Sequence, residues 1–179
     1  MKKLFVWTLV FVGLPLLAQD KITTKTGVIE FEASVPSFEE VKAKNEAVTC
    51  ILNTKTGEIA SLALIKGFRF KVALMEEHFN ENYVNSQAHP KATFKGNLLN
   101  FDFGKVDQKG KTFSMKGILS MNGHQKEIKT TATVKRNVTS LEVISIFEVN
   151  PEDFGIKIPS VVKNKIAKKV KISTFFELQ

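Results

Sequence analysis

The sequence predicts an all-β protein with a short helical insert, built from about eight antiparallel strands closed as a sandwich or barrel. Three observations carry this. Strand-type alternation recurs along nearly the whole chain, turn signals punctuate it every 8–12 residues or so, and one segment alone carries helical periodicity. Eight strands is also about the number at which a closed barrel can hold one small or elongated ligand.

Residues 27–35 open the pattern, with Ile29, Phe31, Ala33 and Val35 on one face and Glu30, Glu32 and Ser34 on the other. The polar stretch 36–45 reads as a loop with one helical turn. Strands are expected at 47–53 and 58–66, joined by a Thr-Lys-Thr-Gly turn. Another is expected at 67–74, where Phe68, Phe70 and Val72 alternate with Arg69 and Lys71.

Helical spacing then takes over. Met75, Phe79 and Tyr83 recur at i, i+4 and i+8 and share one face, while Glu76, Glu77, Asn80 and Glu81 point toward water. Asn85 and the pair His89-Pro90 end the helix, because the residue before proline is pushed out of the helical region. An apolar-faced helix lodged between strands suits the cover of an apolar cavity.

Strands resume at 93–103 and at Lys111–Met121. Asn122-Gly123 is the strongest hairpin signal, since both residues tolerate the positive φ of a type I′ turn. It joins that strand, where Phe113, Met115, Gly117, Leu119 and Met121 share a face, to 125–136, where Ile128, Thr130, Ala132 and Val134 do. Segments 140–149 and 168–178 complete the set, the last alternating Val170, Ile172, Thr174, Phe176 and Leu178 opposite Lys169, Lys171 and Ser173.

Residues 1–18 read as a secretory signal peptide: Lys2 and Lys3, an apolar run too short to span a bilayer, then a small residue, Ala18. The expected mature domain is 19–179, exported to the periplasm or secreted. Removing Lys2 and Lys3 from 26 basic residues leaves 24 against 18 acidic ones, a net charge of +6. The charge is diffuse, as on a solvated sheet face. Only residues 163–171 concentrate lysine, and with two arginines in the chain there is no Arg-and-aromatic patch of the kind that binds nucleic acid. Transient contact with anionic lipid headgroups suits that cluster better. Cys50 is the single cysteine; it sits in a strand pattern and reads as buried and inert.

Cleavage would leave thirteen Phe, one Tyr and no Trp. Phe has no polar atom to satisfy, so this aromatic content lines or fills something dry. Alternation cannot separate a filled core from a lined pore, and both readings stand at this level. The histidines are His78, His89 and His124. His78 with Glu81 at i+3 could present two ligands, but a zinc site needs three or four convergent ones. No Gly-x-Ser-x-Gly elbow, His-Glu-x-x-His or phosphate loop occurs. No catalytic residue, metal or cofactor is therefore expected. The competing enzyme reading has His78 and a carboxylate acting on a hydrophobic substrate.

The order of several motifs resembles the YceI-like proteins, the exported lipid- or polyisoprenoid-binding family. The residues that carry the resemblance are GVIEF at 27–31, VKAKN at 41–45, TGEI at 56–59, FRF at 68–70, the block 75–96, GILSMNGHQK at 117–126 and DFGI at 153–156. The resemblance implies a lipocalin-like antiparallel barrel, in some members a homodimer, whose pore holds a long isoprenoid or acyl chain. The residues expected to line that pore are Phe31, Phe70, Met75, Phe79, Tyr83, Phe94, Phe113, Met115, Leu119, Phe147, Phe154 and Phe176. His78, Asn80, Asn82 and Asn85 are expected at its mouth.

Overall fold

A computed structural model describes residues 20–179; the expected signal peptide lies outside the described residues. The described residues form nine strands: β1 (Lys21–Ser34), β2 (Lys42–Asn53), β3 (Glu58–Leu64), β4 (Arg69–Phe70), β5 (Lys91–Leu98), β6 (Lys111–Met121), β7 (His124–Arg136), β8 (Leu141–Val149) and β9 (Ile166–Leu178). Eight of them close into a barrel in the order β1-β2-β3-β5-β6-β7-β8-β9, and β9 returns to β1. Every pairing is antiparallel. Closure gives each barrel strand a paired neighbour on both sides, so no strand is left as the bare edge of an open sheet.

The Asn122-Gly123 hairpin forms as its residues dictate, with φ of 50° and 75° and Met121 opposite His124. Elsewhere several boundaries differ from the sequence expectation. Residues 42–45 are strand, not loop, because Ala43 and Asn45 turn inward and are buried while Lys44 and Glu46 face out. Small and polar inward residues hide that alternation. Segment 67–74 gives only the two-residue β4, since the free edge of β2 offers it partners at Ala43 and Lys44 alone. The strand expected to run to Phe103 stops at Leu98. Asn100 adopts φ of 55°, and the Asp102 carboxylate accepts from the Gly104 N–H.

The insert between β3 and β5 carries α1 (Ala73–His78), continued by a wider π-helical turn over Phe79–Tyr83. It fills a gap. β2 and β3 pair only from Thr49 to Leu52 and from Ile59 to Leu62, then diverge. Asn45 sits at the divergence, 1% exposed, its side-chain N–H donating to the Leu64 carbonyl at 2.9 Å.

The interior divides along the barrel axis. At one end Val48, Leu52, Leu98, Phe113, Val134 and Leu178 pack into a solid plug, with the Phe101 ring 5.2 Å from Phe113. Cys50 lies fully buried in this plug, and burial pushes its thiol from the usual 9.0 up to about 12. At the other end a second cluster, Ile65, Val84, Ile128, Val149, Phe154 and Ile156, braces the rim. Filled core and lined pore therefore coexist in one barrel.

Candidate functional site

Between the plug and the rim lies a cavity of about 480 Å³, within the size range typical of small-molecule sites. Strand alternation builds its wall. β1 supplies Ile29, Phe31 and Ala33, β6 supplies Met115, Leu119 and Met121, and β9 supplies Val170, Ile172, Thr174 and Phe176. Consecutive inward positions on a strand are two apart, so each strand contributes a ladder of apolar side chains.

The helical insert forms one side of the chamber. Met75, Phe79 and Tyr83 all reach the cavity, as one helical face should. Phe79 anchors that face, with its ring centroid 5.2 Å from Phe70, 5.3 Å from Phe31 and 6.0 Å from Phe68. Glu76, beside that face and off the cavity lining, accepts from the Arg69 guanidinium at 2.5 Å and from the Phe70 N–H at 3.1 Å. The middle of α1 is thus tied to β4, and the turn that follows it to the aromatic cluster.

Ten of the twelve expected lining residues face the cavity: Phe31, Phe70, Met75, Phe79, Tyr83, Phe94, Met115, Leu119, Phe147 and Phe176. Two do not. Phe113 points inward but lies below the chamber floor, in the plug against Phe101. Phe154 is fully buried in the rim cluster, where the turn over Pro151–Phe154 drives it between neighbouring apolar side chains rather than into the chamber. The sequence reading missed Phe68, Ile29, Ile59, Val143 and Ile172. Ile29, Ile172 and Phe68 share faces with residues it named, so alternation could have found them.

The mouth differs more. Of the four polar residues expected there, His78 alone lines the cavity, joined by Glu39 and Lys165. Asn80 lies on a shallow outer groove with Lys66, Arg69, Glu77 and Glu81, its side-chain N–H donating to the Glu76 carbonyl at 2.8 Å. Asn82 is exposed and off the lining. Asn85, with φ of 40°, turns the chain, its side-chain oxygen accepting from the Ala88 N–H. Asn80 lies on the flank of the helix opposite to that of His78, and Asn85 lies beyond the helical turn that ends at Tyr83. Among the described residues His78 makes no hydrogen bond or ion pair with a carboxylate, and no three potential metal ligands converge.

A closed antiparallel barrel, packed at one end and hollow and apolar toward the other, is a lipocalin-like cavity barrel. The chain belongs to the family of the YceI-like domain, whose sequence profile matches residues 19–178. Solved structures share the fold at low identity. A polyisoprenoid binding domain from Saccharophagus degradans, implicated in plant cell wall breakdown, superposes with a TM-score of 0.76 at 11% identity, covering 89% of this chain and 98% of that one. BcnA from Burkholderia cenocepacia gives 0.71 at 11% identity, covering 86% and 96%. The Campylobacter jejuni YceI protein gives 0.60 at 12%, covering 80% and 88%. No curated protein sequence matches the chain.

Proposed function

We propose that this protein is an exported, non-catalytic binding protein that holds a long-chain amphiphile, a polyisoprenoid or similar lipid, for transport, storage or sequestration. The apolar chamber of about 480 Å³ carries the reading. Its wall offers almost nothing but aliphatic and aromatic surface, so affinity comes from removing chain methylenes from water, about 0.8 kcal/mol for each one buried. The polyisoprenoid-binding description of the Saccharophagus degradans domain agrees with that chemistry.

The headgroup stays at the mouth, beside Glu39, His78 and Lys165. Phe38, on the lining, is 43% exposed, and Leu74 and Val161, next in sequence to the lining residues Met75 and Val162, are 57% and 78% exposed. With Lys163 and Lys165 nearby, that rim suits brief contact with a lipid surface during loading or release. The lining favours a binding role over the enzyme reading, since it surrounds His78 with mainly aliphatic and aromatic side chains.

The test is extraction. The protein is purified from the soluble exported fraction of a lipid-rich host, extracted with organic solvent, and the extract weighed by mass spectrometry. A stoichiometric long-chain species is expected; an empty extract together with no uptake of offered prenols or fatty acids overturns the proposal. Recovery of the chain starting near Gln19 reads the export step, and light scattering reads the homodimer implied by the family resemblance.

A further inference from the structure

We infer that the floor of the chamber acts as a ruler, so that this barrel encloses about twenty carbons of its ligand and leaves any further chain outside. The inference rests on the lipid-binding reading above and adds a length to it. An apolar cavity of about 150 Å³ accommodates benzene, about 25 Å³ per carbon. On that scale the chamber of about 480 Å³ houses on the order of 20 carbons, four isoprene units or a common long acyl chain.

The limit has an identifiable cause. Met115, Val143 and Phe176 line the cavity and also belong to the plug beneath it. All three are at most 6% exposed. Below them Leu98, Phe113 and Val134 leave no continuation of the chamber. Gly27 helps set the floor. A Cβ there would lie 2.5 Å from Cδ1 of Phe176, so the absence of a side chain on β1 lets the Phe176 ring lean over its neighbouring strand. The mouth, by contrast, is bordered by exposed side chains and does not stop a longer chain from protruding.

The consequence is a break in the length dependence rather than exclusion of long ligands. Affinity rises about fourfold per added methylene while each is buried, then levels off. The experiment displaces a fluorescent acyl-chain probe from the whole mature protein. The competitors are straight-chain fatty acids of increasing length and all-trans prenols of three, four, six and eight isoprene units, each below its own aggregation concentration. The expected result is a steep rise to about twenty carbons and a plateau beyond. Met115→Ala, and separately the milder Val143→Ala, should move the plateau outward by one to about three carbons.

Affinity that keeps climbing to the eight-unit prenol overturns the ruler while leaving lipid binding intact. A plateau unmoved in both variants, each shown folded by circular dichroism, overturns the assignment of the floor. Failure of every probe to bind overturns the lipid-binding reading itself.

Discussion

The side-chain amide of Asn45 bridges to the backbone carbonyl of Leu64 at 2.9 Å, at the seam where β2 and β3 part. Its oxygen accepts from the Ala47 N–H at 2.9 Å. One buried amide therefore replaces two ladder hydrogen bonds where the barrel wall opens to admit the helical insert. A Cβ at Gly67 would lie 2.5 Å from the Asn45 side-chain nitrogen, so the glycine makes room for this bridge.

Asn45→Ala should leave the Leu64 carbonyl and the Ala47 N–H unpaired in a dry site. The expected loss is about 1–3 kcal/mol of folding stability, read as a lower urea midpoint with an unchanged denaturant slope. A midpoint equal to that of the parent would show that water or backbone relaxation satisfies both groups.

Glu76 latches α1 to β4 through Arg69 and the Phe70 N–H. Glu76→Gln keeps the side chain's shape and removes its charge, which should weaken the latch by roughly 1 kcal/mol because the pair is partly solvated. Hydrogen exchange should quicken over residues 73–83 while the protection of β6 and β7 stays as it was. Uniform loosening of the barrel would contradict a local latch.

Gly96 and Gly117 stand opposite each other on β5 and β6. A Cβ on Gly117 would meet the Lys95 carbonyl oxygen and the Phe94 ring, both at 2.5 Å. Backbone cannot yield there, so Gly117→Ala should cost about 1–3 kcal/mol. Because Phe94 is also a wall of the chamber, the variant should weaken acyl-probe binding as well. Stability and binding unchanged together would mean the strands separate freely at this pair.

Cys50 predicts a pH dependence. Burial raises its folded pKa to about 12 from 9.0, because the thiolate is poorly solvated in the plug. Between those values the native state holds a proton that the unfolded chain has released. Its contribution is complete below about pH 9 and is lost as pH rises toward 12, at on the order of 1 kcal/mol per pH unit. The difference in alkaline slope between the parent and Cys50→Ala isolates this group from the titrating lysines. In native protein the thiol should also resist maleimide labelling at neutral pH and react once urea is added.

Much of the barrel was legible in local patterns. β6, its hairpin partner and β9 read directly, because one face is largely apolar and the other largely polar, and a period of two follows from the pleat alone. The stripe Met75, Phe79 and Tyr83 read equally well, and all three reach the cavity. Less legible was the seam. Nothing in VKAKN announces that Asn45 turns inward, or that the free edge of β2 pairs with only two residues of the next apparent strand. Those depend on which partner arrives, and the partner lies some twenty residues away in sequence.

By itself, then, the sequence determined the strand class, the Asn122-Gly123 hairpin, the inward face of each long strand and the helical stripe, all consequences of chemistry within a few residues. The tertiary structure alone decided where the barrel is solid and where it is hollow. Phe113 and Met115 share one face of one strand, yet Phe113 joins the plug below the chamber while Met115 forms its floor. Alternation specifies a direction, inward. Depth along the axis is set by register between strands and by the side chains that arrive from opposite walls, and that information exists only once the barrel has closed.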